Sequence, residues 1–468
     1  MKQRIFRKLL SVLLLFLCVL LLIAAVPLPV LAVNAEAPGM PEVPDISGAR
    51  SVYLYNYESD KVMALRSTGE KIAPASIVKI VTGMVALSIL NDRMEDEILL
   101  TQEMLDGVEG SSMGLEVGMR VQIRDLFYGM LCGGYNDPAQ ALAILCSGSV
   151  PSFVEEMNRY AAAIGCSSTH FTNPTGLDDN QMLTTLSDVI LIANAAVKDK
   201  TYMQISSAPS YLFLPGGSVE QTGKTIHNRN SLISSYYYQG YQNRYAQGLI
   251  AGMTERGGWC VVTYAKYDTA SYLCIVMGAS ATDEVVQSFR IADKLLDYAI
   301  GNFSVIEYAK AGTEICRIPV KLAMPDNVKD NSATIACTLP TSLVGLIPDI
   351  ADPKNDISYR YYLYRDEISA PVKKGTIVGG VDVYYGEEWL CHSPLVAGKD
   401  MEVNSFLKGM DAMKHFFFNR ATLIALIAFV ILCLVYFLWL ERLLRRKRYR
   451  QSEFGRNEGA SGNSQYKA

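Results

Sequence analysis

Near its C-terminus the chain has a run of 20 uncharged, mostly apolar residues, ATLIALIAFVILCLVYFLWL, from Ala421 to Leu440. About 20 such residues are enough for an α-helix to cross the hydrocarbon core of a bilayer. Six basic residues follow directly, and basic clusters beside a spanning helix stay in the cytosol. We therefore predict a single-pass cell-membrane protein with a transmembrane helix at 420–441, a basic and disordered cytosolic tail at 442–468 and its main body outside the cell.

The first residues have the layout of a secretory signal. Four basic side chains lie within positions 1–8, the apolar run from Leu9 to Val26 follows, and small residues come next at Ala32 and Ala35. A charged start, an apolar centre and a small-residue cleavage site are the three parts of a signal peptide. We predict a signal peptide at 1–35 that is cleaved after Ala32 or Ala35. An uncleaved anchor is the alternative, because about 18 apolar residues are just enough to span.

The body between these two segments is acidic, although the whole chain carries a formal charge of only −4. Residues 1–8 contain four basic and no acidic side chains, and residues 441–468 contain eight basic and three acidic ones. The negative charge is therefore concentrated in the remainder. Because nucleic-acid binding usually requires a basic surface, we predict no nucleic-acid partner.

Ten cysteines are present, eight of them outside the two membrane segments. None forms a C-x-x-C pair and no Cys/His cluster has the spacing of a zinc site, so we predict no metal and no cofactor. A location outside the cell permits disulfides. The sequence does not pair the cysteines, and buried free thiols are the alternative.

The pattern of apolar residues divides the exported body into two domains. A Pro-rich linker at 36–48 precedes residues 49–302, where strand-like and helix-like segments mix as in an α+β domain. From 303 to 398, alternating and β-branched segments separated by turn residues predict a small all-β domain. Residues 399–419 are predicted to form a second linker. In the α+β part we predict strands at Ser51–Tyr57, Gly258–Tyr264 and Ser271–Gly278. We predict helices at Ser76–Leu90, Asp125–Leu145 with an interruption at Gly133-Gly134, Pro151–Ile164 and Val286–Ile300.

The sharpest chemical signal is the S-x-x-K formed by Ser76 and Lys79 at the start of an apolar helix. A spacing of three places both side chains on one helical face. A serine hydroxyl needs a base to become a nucleophile, and a lysine whose pKa is lowered by burial can be that base. The N–H groups at the helix N-terminus suit an oxyanion. Taken alone, such a motif is more often a capping serine and a surface lysine.

Several further blocks, in order, resemble the serine-type D-alanyl-D-alanine carboxypeptidases, the low-molecular-mass penicillin-binding proteins. The stretch ASIVKIVTGMVAL resembles the family's nucleophile helix, and GSSMGL at 110–115 resembles its S-x-M-G-L block. THFTNPTGLD at 169–178 is similar to its T-H-F-x-N-P-x-G-L-D signature, and HNRNSL at 227–232 to its N-x-N-x-L block. The resemblance covers about 45–398. It implies a penicillin-binding-protein/β-lactamase-like domain, an antiparallel sheet flanked by helices, followed by the all-β domain.

Two of the family's three site motifs are altered here. S-x-x-K is intact, but Gly134 replaces the serine of S-x-N while Asn136 remains. In K-T-G, Ile250 and Ala251 replace the lysine and the threonine. Neither side chain can hold the terminal carboxylate of the substrate, and losing a hydrogen bond to a charged group costs roughly 1.5–3 kcal/mol. The missing serine also removes an expected proton relay.

The resemblance implies a role for each remaining position. Ser76 would be acylated, Lys79 would be the base, and Asn136 would position Lys79 and the substrate amide. The predicted substrate-binding residues are Ile250, Ala251, Gly252 and Met253, with the N–H groups of Met253 and Ser76 forming the oxyanion hole. Arg244 or Arg256, near the third motif, is expected to replace the lost carboxylate contact.

Three functional hypotheses follow. The favoured one is a membrane-anchored serine D-Ala-D-Ala carboxypeptidase acting on peptidoglycan stem peptides, with weakened classical activity and with β-lactams as expected ligands. The second is a catalytically impaired pseudoenzyme that binds the cell wall or a partner. The third is an acyl-transferring or amide-cleaving enzyme for a substrate without a free carboxylate. The retained Ser76, Lys79 and Asn136 favour chemistry, whereas the two altered motifs favour binding alone.

Overall fold

The computed structural model describes residues 39–217, 223–282, 285–324, 333–351 and 355–458. The predicted signal peptide at 1–35, with its cleavage sites, lies outside the described residues, and so do the last ten residues of the predicted tail.

The first domain alternates short strands with helices. Its strands are β1 (Ser51–Asn56), β2 (Lys61–Arg66), β3 (Glu97–Leu99), β4 (Arg120–Gln122), β5 (Ser210–Phe213), β6 (Lys224–His227), β7 (Ala246–Thr254), β8 (Gly258–Tyr267) and β9 (Ala270–Ala279). Its helices are α1 (Val78–Leu90), α2 (Gln102–Leu105), α3 (Ile123–Leu131), α4 (Asn136–Ser147), α5 (Val150–Ala163), α6 (Leu186–Val197), α7 (Lys200–Ser206) and α8 (Gln287–Asn302). A 3₁₀ turn, Ala75–Ile77, leads directly into α1.

Five strands form an antiparallel sheet at the centre of this domain, in the order β2-β1-β9-β8-β7. β9 is buried along almost its whole length, and its sequence ASYLCIVMGA is continuously apolar, as in strands covered on both faces. β7 lies at the edge of the sheet and pairs with β8. An edge strand leaves one row of backbone N–H and C=O groups available to a bound peptide.

Helices cover both faces of the sheet. α1 is apolar on all sides, and ten of its 13 residues are buried in the core that also contains α3, α4, α5 and α6. A helix of this kind is stable only inside a protein. α8 packs on the opposite face, against β8 and β9. The α+β fold predicted from the sequence is confirmed, with α1 as its central helix.

The second domain is all-β, as predicted. Its strands are β10 (Phe303–Ala309), β11 (Glu314–Lys321), β12 (Thr334–Thr338), β13 (Leu343–Pro348), β14 (Ile357–Leu363), β15 (Ile368–Ser369), β16 (Ile377–Tyr385) and β17 (Glu388–Ala397). Six of them form a sheet in the order β14-β16-β17-β12-β11-β15 with its own hydrophobic core. β10 and β13, which the sequence analysis did not identify, form a separate pair. Phe303 and Leu346 of this pair pack into the core of the first domain.

Two helices end the described chain, α9 (Ser405–Phe418) and α10 (Arg420–Glu458). The side chain of Asn404 caps α9 by accepting hydrogen bonds from the N–H groups of Phe406 and Leu407, so most of the segment predicted as a linker at 399–419 is helical. In α10, the stretch Arg420–Arg446 contains an 18-residue window with a mean hydropathy of 3.0 and no buried residue, which makes the stretch a candidate membrane span. The helix continues to Glu458, beyond the predicted end of the span, so the tail predicted to be disordered is helical as far as this residue.

Candidate active site

Ser76 lies in the tight turn before α1, at the floor of a cavity of about 250 Å³. The preceding residue, Ala75, has a φ of +49°, a left-handed conformation that side-chain-bearing residues rarely adopt. A neighbouring loop holds it there, because a Cβ at Gly176 would lie 2.1 Å from the Ala75 carbonyl oxygen. Strained backbone of this kind concentrates at functional sites.

Lys79 lies one helical turn after Ser76 and lines the same cavity, although only 1% of its surface is exposed. Its Nζ donates a hydrogen bond to the Thr175 carbonyl oxygen at 2.6 Å. Burial, aided by the positive charge of Arg229, lowers the pKa of Lys79 from 10.5 to about 7. A substantial fraction of the amine is therefore neutral at neutral pH, as a general base requires.

The edge strand β7 approaches Ser76 from the other side of the cavity. A Cβ built on Gly252 would lie 2.2 Å from Ser76 Oγ and 2.5 Å from Ser76 Cβ. Only glycine therefore allows this close approach of strand and nucleophile. Ala251 and Met253 also line the cavity, so three of the four predicted substrate-binding residues lie beside Ser76.

Ile250, the fourth, is 2% exposed and packs in the core around α1 instead of lining the cavity. An apolar side chain at this position is buried because the residue faces α1 and not solvent. Ile250 therefore lies in the hydrophobic core next to the cavity-lining residue Ala251.

Asn136 begins α4 and lines the cavity together with Ser76 and Lys79. We expected its side chain to position Lys79, but its Nδ2 donates to the Glu109 carbonyl oxygen at 2.8 Å. Its backbone N–H donates to the Ser111 carbonyl oxygen, also at 2.8 Å. In the structure, Asn136 thus fixes the loop at 109–111 against the start of α4.

The expected replacement of the lost lysine by Arg244 or Arg256 is not what the structure shows. The Arg244 guanidinium lies 4.7 Å from the ring of its neighbour Tyr245, and Arg256 Nη1 donates to Asn180 Oδ1 at 2.9 Å. Neither side chain lines the cavity. Arg244 precedes β7 and Arg256 lies in the turn after it, so both are near the third motif in sequence but outside the cavity.

Arg229 is the arginine that enters the cavity. It follows β6, and a Cβ at Gly134 would lie 3.5 Å from its Cβ and Cγ. Its Nη2 donates to Ser111 Oγ at 3.1 Å, and its guanidinium lies 4.5 Å from the ring centre of Tyr237. In the sequence, Arg229 is the central residue of the N-x-N block. The neighbouring residues along the chain do not indicate that its side chain reaches Ser111.

Asp137 organises the loop that presents Ser111, a role that sequence reasoning missed. Its carboxylate accepts hydrogen bonds from Ser112 Oγ and from three backbone N–H groups, those of Met113, Gly114 and Leu115, at 2.7–3.1 Å. Asp137 is only 3% exposed. Hydrogen bonds to a charged, buried acceptor are strong, so this loop is held rigidly beside the cavity.

Aromatic residues close the side of the cavity that faces α8. Tyr238, Trp259 and Phe289 line it, and Tyr238 meets Trp259 edge-to-face at 5.4 Å. Within the described residues, no group of three or more His, Cys, Asp or Glu side chains is arranged to hold a metal ion. Ser76, Lys79 and Asn136 are among the polar residues that line the cavity.

Known proteins resemble this chain over most of its length. A family model described as D-alanyl-D-alanine carboxypeptidase matches residues 37–281, and one described as penicillin-binding protein 5, C-terminal domain, matches residues 326–403. D-alanyl-D-alanine carboxypeptidase DacF of Bacillus subtilis is 27% identical over 366 residues, which are 77% of this chain and 87% of that protein. DacC of Escherichia coli is 27% identical over 377 residues, covering 78% of this chain and 87% of that protein.

Solved structures show the same fold. The D-alanyl-D-alanine carboxypeptidase DacD from Francisella tularensis superposes with a TM-score of 0.62 at 21% identity, covering 79% of this chain and 97% of that one. Penicillin-binding protein 5 from Haemophilus influenzae gives a TM-score of 0.59 at 23% identity, with 77% and 100% covered. At these identities the likeness concerns the fold alone.

The rate of Ser76 acylation by benzylpenicillin should rise with pH and level off above an apparent pKa of about 7. If the neutral amine is the base, each pH unit below this value should cost about tenfold in rate. Arg229→Gln should move the midpoint upward, because it removes a positive charge that disfavours the ammonium. Stopped-flow rates between pH 5 and 10 test this, and a midpoint near 10.5, the ordinary value for lysine, would contradict a buried base.

Gly252→Ala should slow acylation of Ser76 about ten- to a hundredfold, because the new methyl group would overlap Ser76 Oγ. Gly301→Ala is the matched control, since a Cβ there meets no atom within 4 Å. Both rates are measured by mass spectrometry of the benzylpenicillin adduct. Equal rates for the two variants would show that β7 does not lie against the nucleophile.

Proposed function

The chain belongs to the D-alanyl-D-alanine carboxypeptidase family, and from its site we propose that Ser76 is the nucleophile with which it removes the terminal D-alanine from peptidoglycan stem peptides. The observation that carries this proposal is the convergence of three groups on one cavity. Ser76 lies one turn from a buried lysine with a pKa of about 7, and the glycine edge of β7 lies directly against its hydroxyl.

Each group has a defined task in this reaction. The neutral Lys79 amine takes the Ser76 proton as Ser76 Oγ attacks the carbonyl carbon before the terminal D-alanine. The backbone N–H groups of Ser76 and Met253 hold the oxyanion that forms. The bond to D-alanine then breaks, and a water molecule activated by Lys79 releases the shortened peptide from Ser76.

Arg229 takes over the binding of the substrate's terminal carboxylate in this proposal. It is the cation that lines the cavity at the altered second motif, and a guanidinium stays charged at any physiological pH and matches a carboxylate in shape. One Nη is bonded to Ser111 Oγ, which leaves further N–H groups for a ligand. This would replace part of the binding that Ile250 and Ala251 cannot provide.

The altered motifs favour weakened activity. Gly134 offers no hydroxyl, and Ile250 is packed into the core. These two observations also favour the alternative of a catalytically impaired protein that retains cell-wall binding. The two proposals differ in whether Ser76 can be acylated at all.

The location of the site follows from the candidate membrane span at Arg420–Arg446. We place the catalytic domain outside the cell and the basic segment after Leu440 in the cytosol, since positive flanks stay inside. The all-β domain then separates the catalytic domain from the span. In this arrangement stem peptides and β-lactams are the expected ligands, and nucleic acid is not one.

Full-length protein in detergent, incubated with benzylpenicillin or with a peptide ending in D-Ala-D-Ala, tests the proposal. We expect a covalent penicillin adduct and slow release of D-alanine, both absent in Ser76→Ala. Intact mass and a D-alanine assay provide the readouts. A folded protein that gives neither signal would refute the carboxypeptidase proposal and favour the impaired protein, and an adduct without D-alanine would indicate a different acyl substrate.

Arg229→Ala should reduce kcat/KM for the D-Ala-D-Ala peptide about ten- to a hundredfold, because one charged hydrogen bond is worth roughly 1.5–3 kcal/mol. The loss should be smaller for a peptide whose terminal carboxylate is amidated. Arg244→Ala is the matched control, since that side chain stacks on Tyr245 outside the cavity. Steady-state kinetics with the two peptides decide the matter, and an equal loss for both peptides would exclude Arg229 as the carboxylate ligand.

A further inference from the structure

We propose that Ser111 supplies the proton that the leaving amine requires, in place of the serine missing from the second motif. This inference rests on the proposed function, because it assigns one step of that reaction. Gly134 stands where the family has the S-x-N serine, and it has no side chain. An amine cannot leave as an anion, so some other group must protonate it as the C–N bond breaks.

Ser111 is in the right place for this task. It lines the same cavity as Ser76, Lys79 and Asn136. The backbone N–H of Asn136 donates to its carbonyl oxygen at 2.8 Å. Asp137 fixes the residues that follow, from Ser112 to Leu115. Ser111 is therefore presented by a rigid loop on the wall that carries the remains of the second motif.

Its hydrogen bonding also suits a proton donor. Arg229 Nη2 donates to Ser111 Oγ at 3.1 Å, so the hydroxyl acts as acceptor in this contact and its own hydrogen remains available. A guanidinium that donates to a hydroxyl stabilises negative charge on the oxygen and makes the proton easier to give up. Arg229 thus lies beside Gly134 and directs its charge at Ser111.

The other hydroxyls of the cavity are less suited. Thr175 Oγ1 donates to Asn173 Oδ1 at 2.9 Å, so its hydrogen is engaged. Thr254 Oγ1 accepts from the Gly257 N–H in the hairpin beyond Met253, and Tyr238 belongs to the aromatic wall near α8. Ser111 is the hydroxyl in the described cavity that receives a hydrogen bond from a cation.

Ser76, Lys79 and Ser111 together account for every proton transferred in this step. Lys79 takes the proton of Ser76 when the tetrahedral intermediate forms, and becomes an ammonium. As the C–N bond breaks, the electron pair of this bond stays on the nitrogen of the departing D-alanine. This nitrogen takes the hydroxyl proton of Ser111. Ser111 Oγ recovers a proton from the Lys79 ammonium, directly or through one solvent molecule. The net result is transfer of the Ser76 proton to the departing D-alanine.

The decisive experiment compares two leaving groups with the full-length protein in detergent. One substrate is an acyl-D-Ala-D-Ala peptide, and the other is the matching thioester, acyl-D-Ala-thioglycolate. A thiolate leaves without being protonated, so only the amide needs the proton donor. Ser111→Ala should lower the acylation rate with the amide about a hundredfold and change the rate with the thioester less than about threefold. Ser111→Thr, which keeps a hydroxyl, should restore most of the amide reaction.

Ser88→Ala is the control, because this hydroxyl donates to the Val85 carbonyl oxygen near the C-terminal end of α1 and does not line the cavity. It should leave the ratio of amide to thioester rates unchanged. Equal losses on both substrates in Ser111→Ala, or no loss on the amide, would overturn the role of Ser111. A folded wild-type protein that turns over neither substrate would instead overturn the proposed function, so the two failures are distinguishable.

Discussion

The site depends on one buried amine and the carbonyl group that receives its hydrogen bond. Lys79 Nζ donates to the Thr175 carbonyl oxygen at 2.6 Å in a position that is almost closed to solvent. An ammonium loses its hydration there, which favours the neutral base. The loop that provides the carbonyl is itself fixed, because Asn173 Oδ1 accepts from the N–H groups of Thr175 and Gly176. This loop also lies against the strained turn at Ala75, so Ser76 and Lys79 share one support.

The two altered motifs are connected through Arg229. Ile250 packs in the hydrophobic core, so β7 has an apolar side chain where the third motif of the family has a lysine. Gly134 belongs to the altered second motif, and a Cβ there would be in ordinary van der Waals contact with the side chain of Arg229. The positive charge therefore enters the cavity from a different element, where it faces Ser111 and contributes to the low pKa of Lys79. In the sequence, the second and third motifs are both altered. In the structure, Arg229 lies beside Gly134 of the second motif and lines the same cavity as Ala251 of the third.

The second domain is joined to the first mainly by apolar packing. Phe303 and Leu346 are buried in the same cluster as α8, and Tyr298 meets Phe303 edge-to-face at 5.3 Å. The ion pair between Lys61 and Glu388, at 3.3 Å, crosses the same junction but is partly exposed, and such pairs contribute little. Burial of aromatic surface is the larger effect. The β-domain is thus part of the same folded body as the catalytic domain.

The sequence by itself determined the features that depend on neighbours along the chain. The candidate membrane span follows from one continuous apolar run, the Ser76–Lys79 pair from helical spacing, and the two fold classes from the period of apolar residues. Only the tertiary structure decided which arginine enters the site, because Arg229 and Ser111 are 118 positions apart. It also placed Ile250 in the core and β7 against Ser76. The physical reason is that helical and strand periodicity act over a few residues, whereas desolvation, charge and close approach depend on elements that meet only when the sheet and α1 pack together.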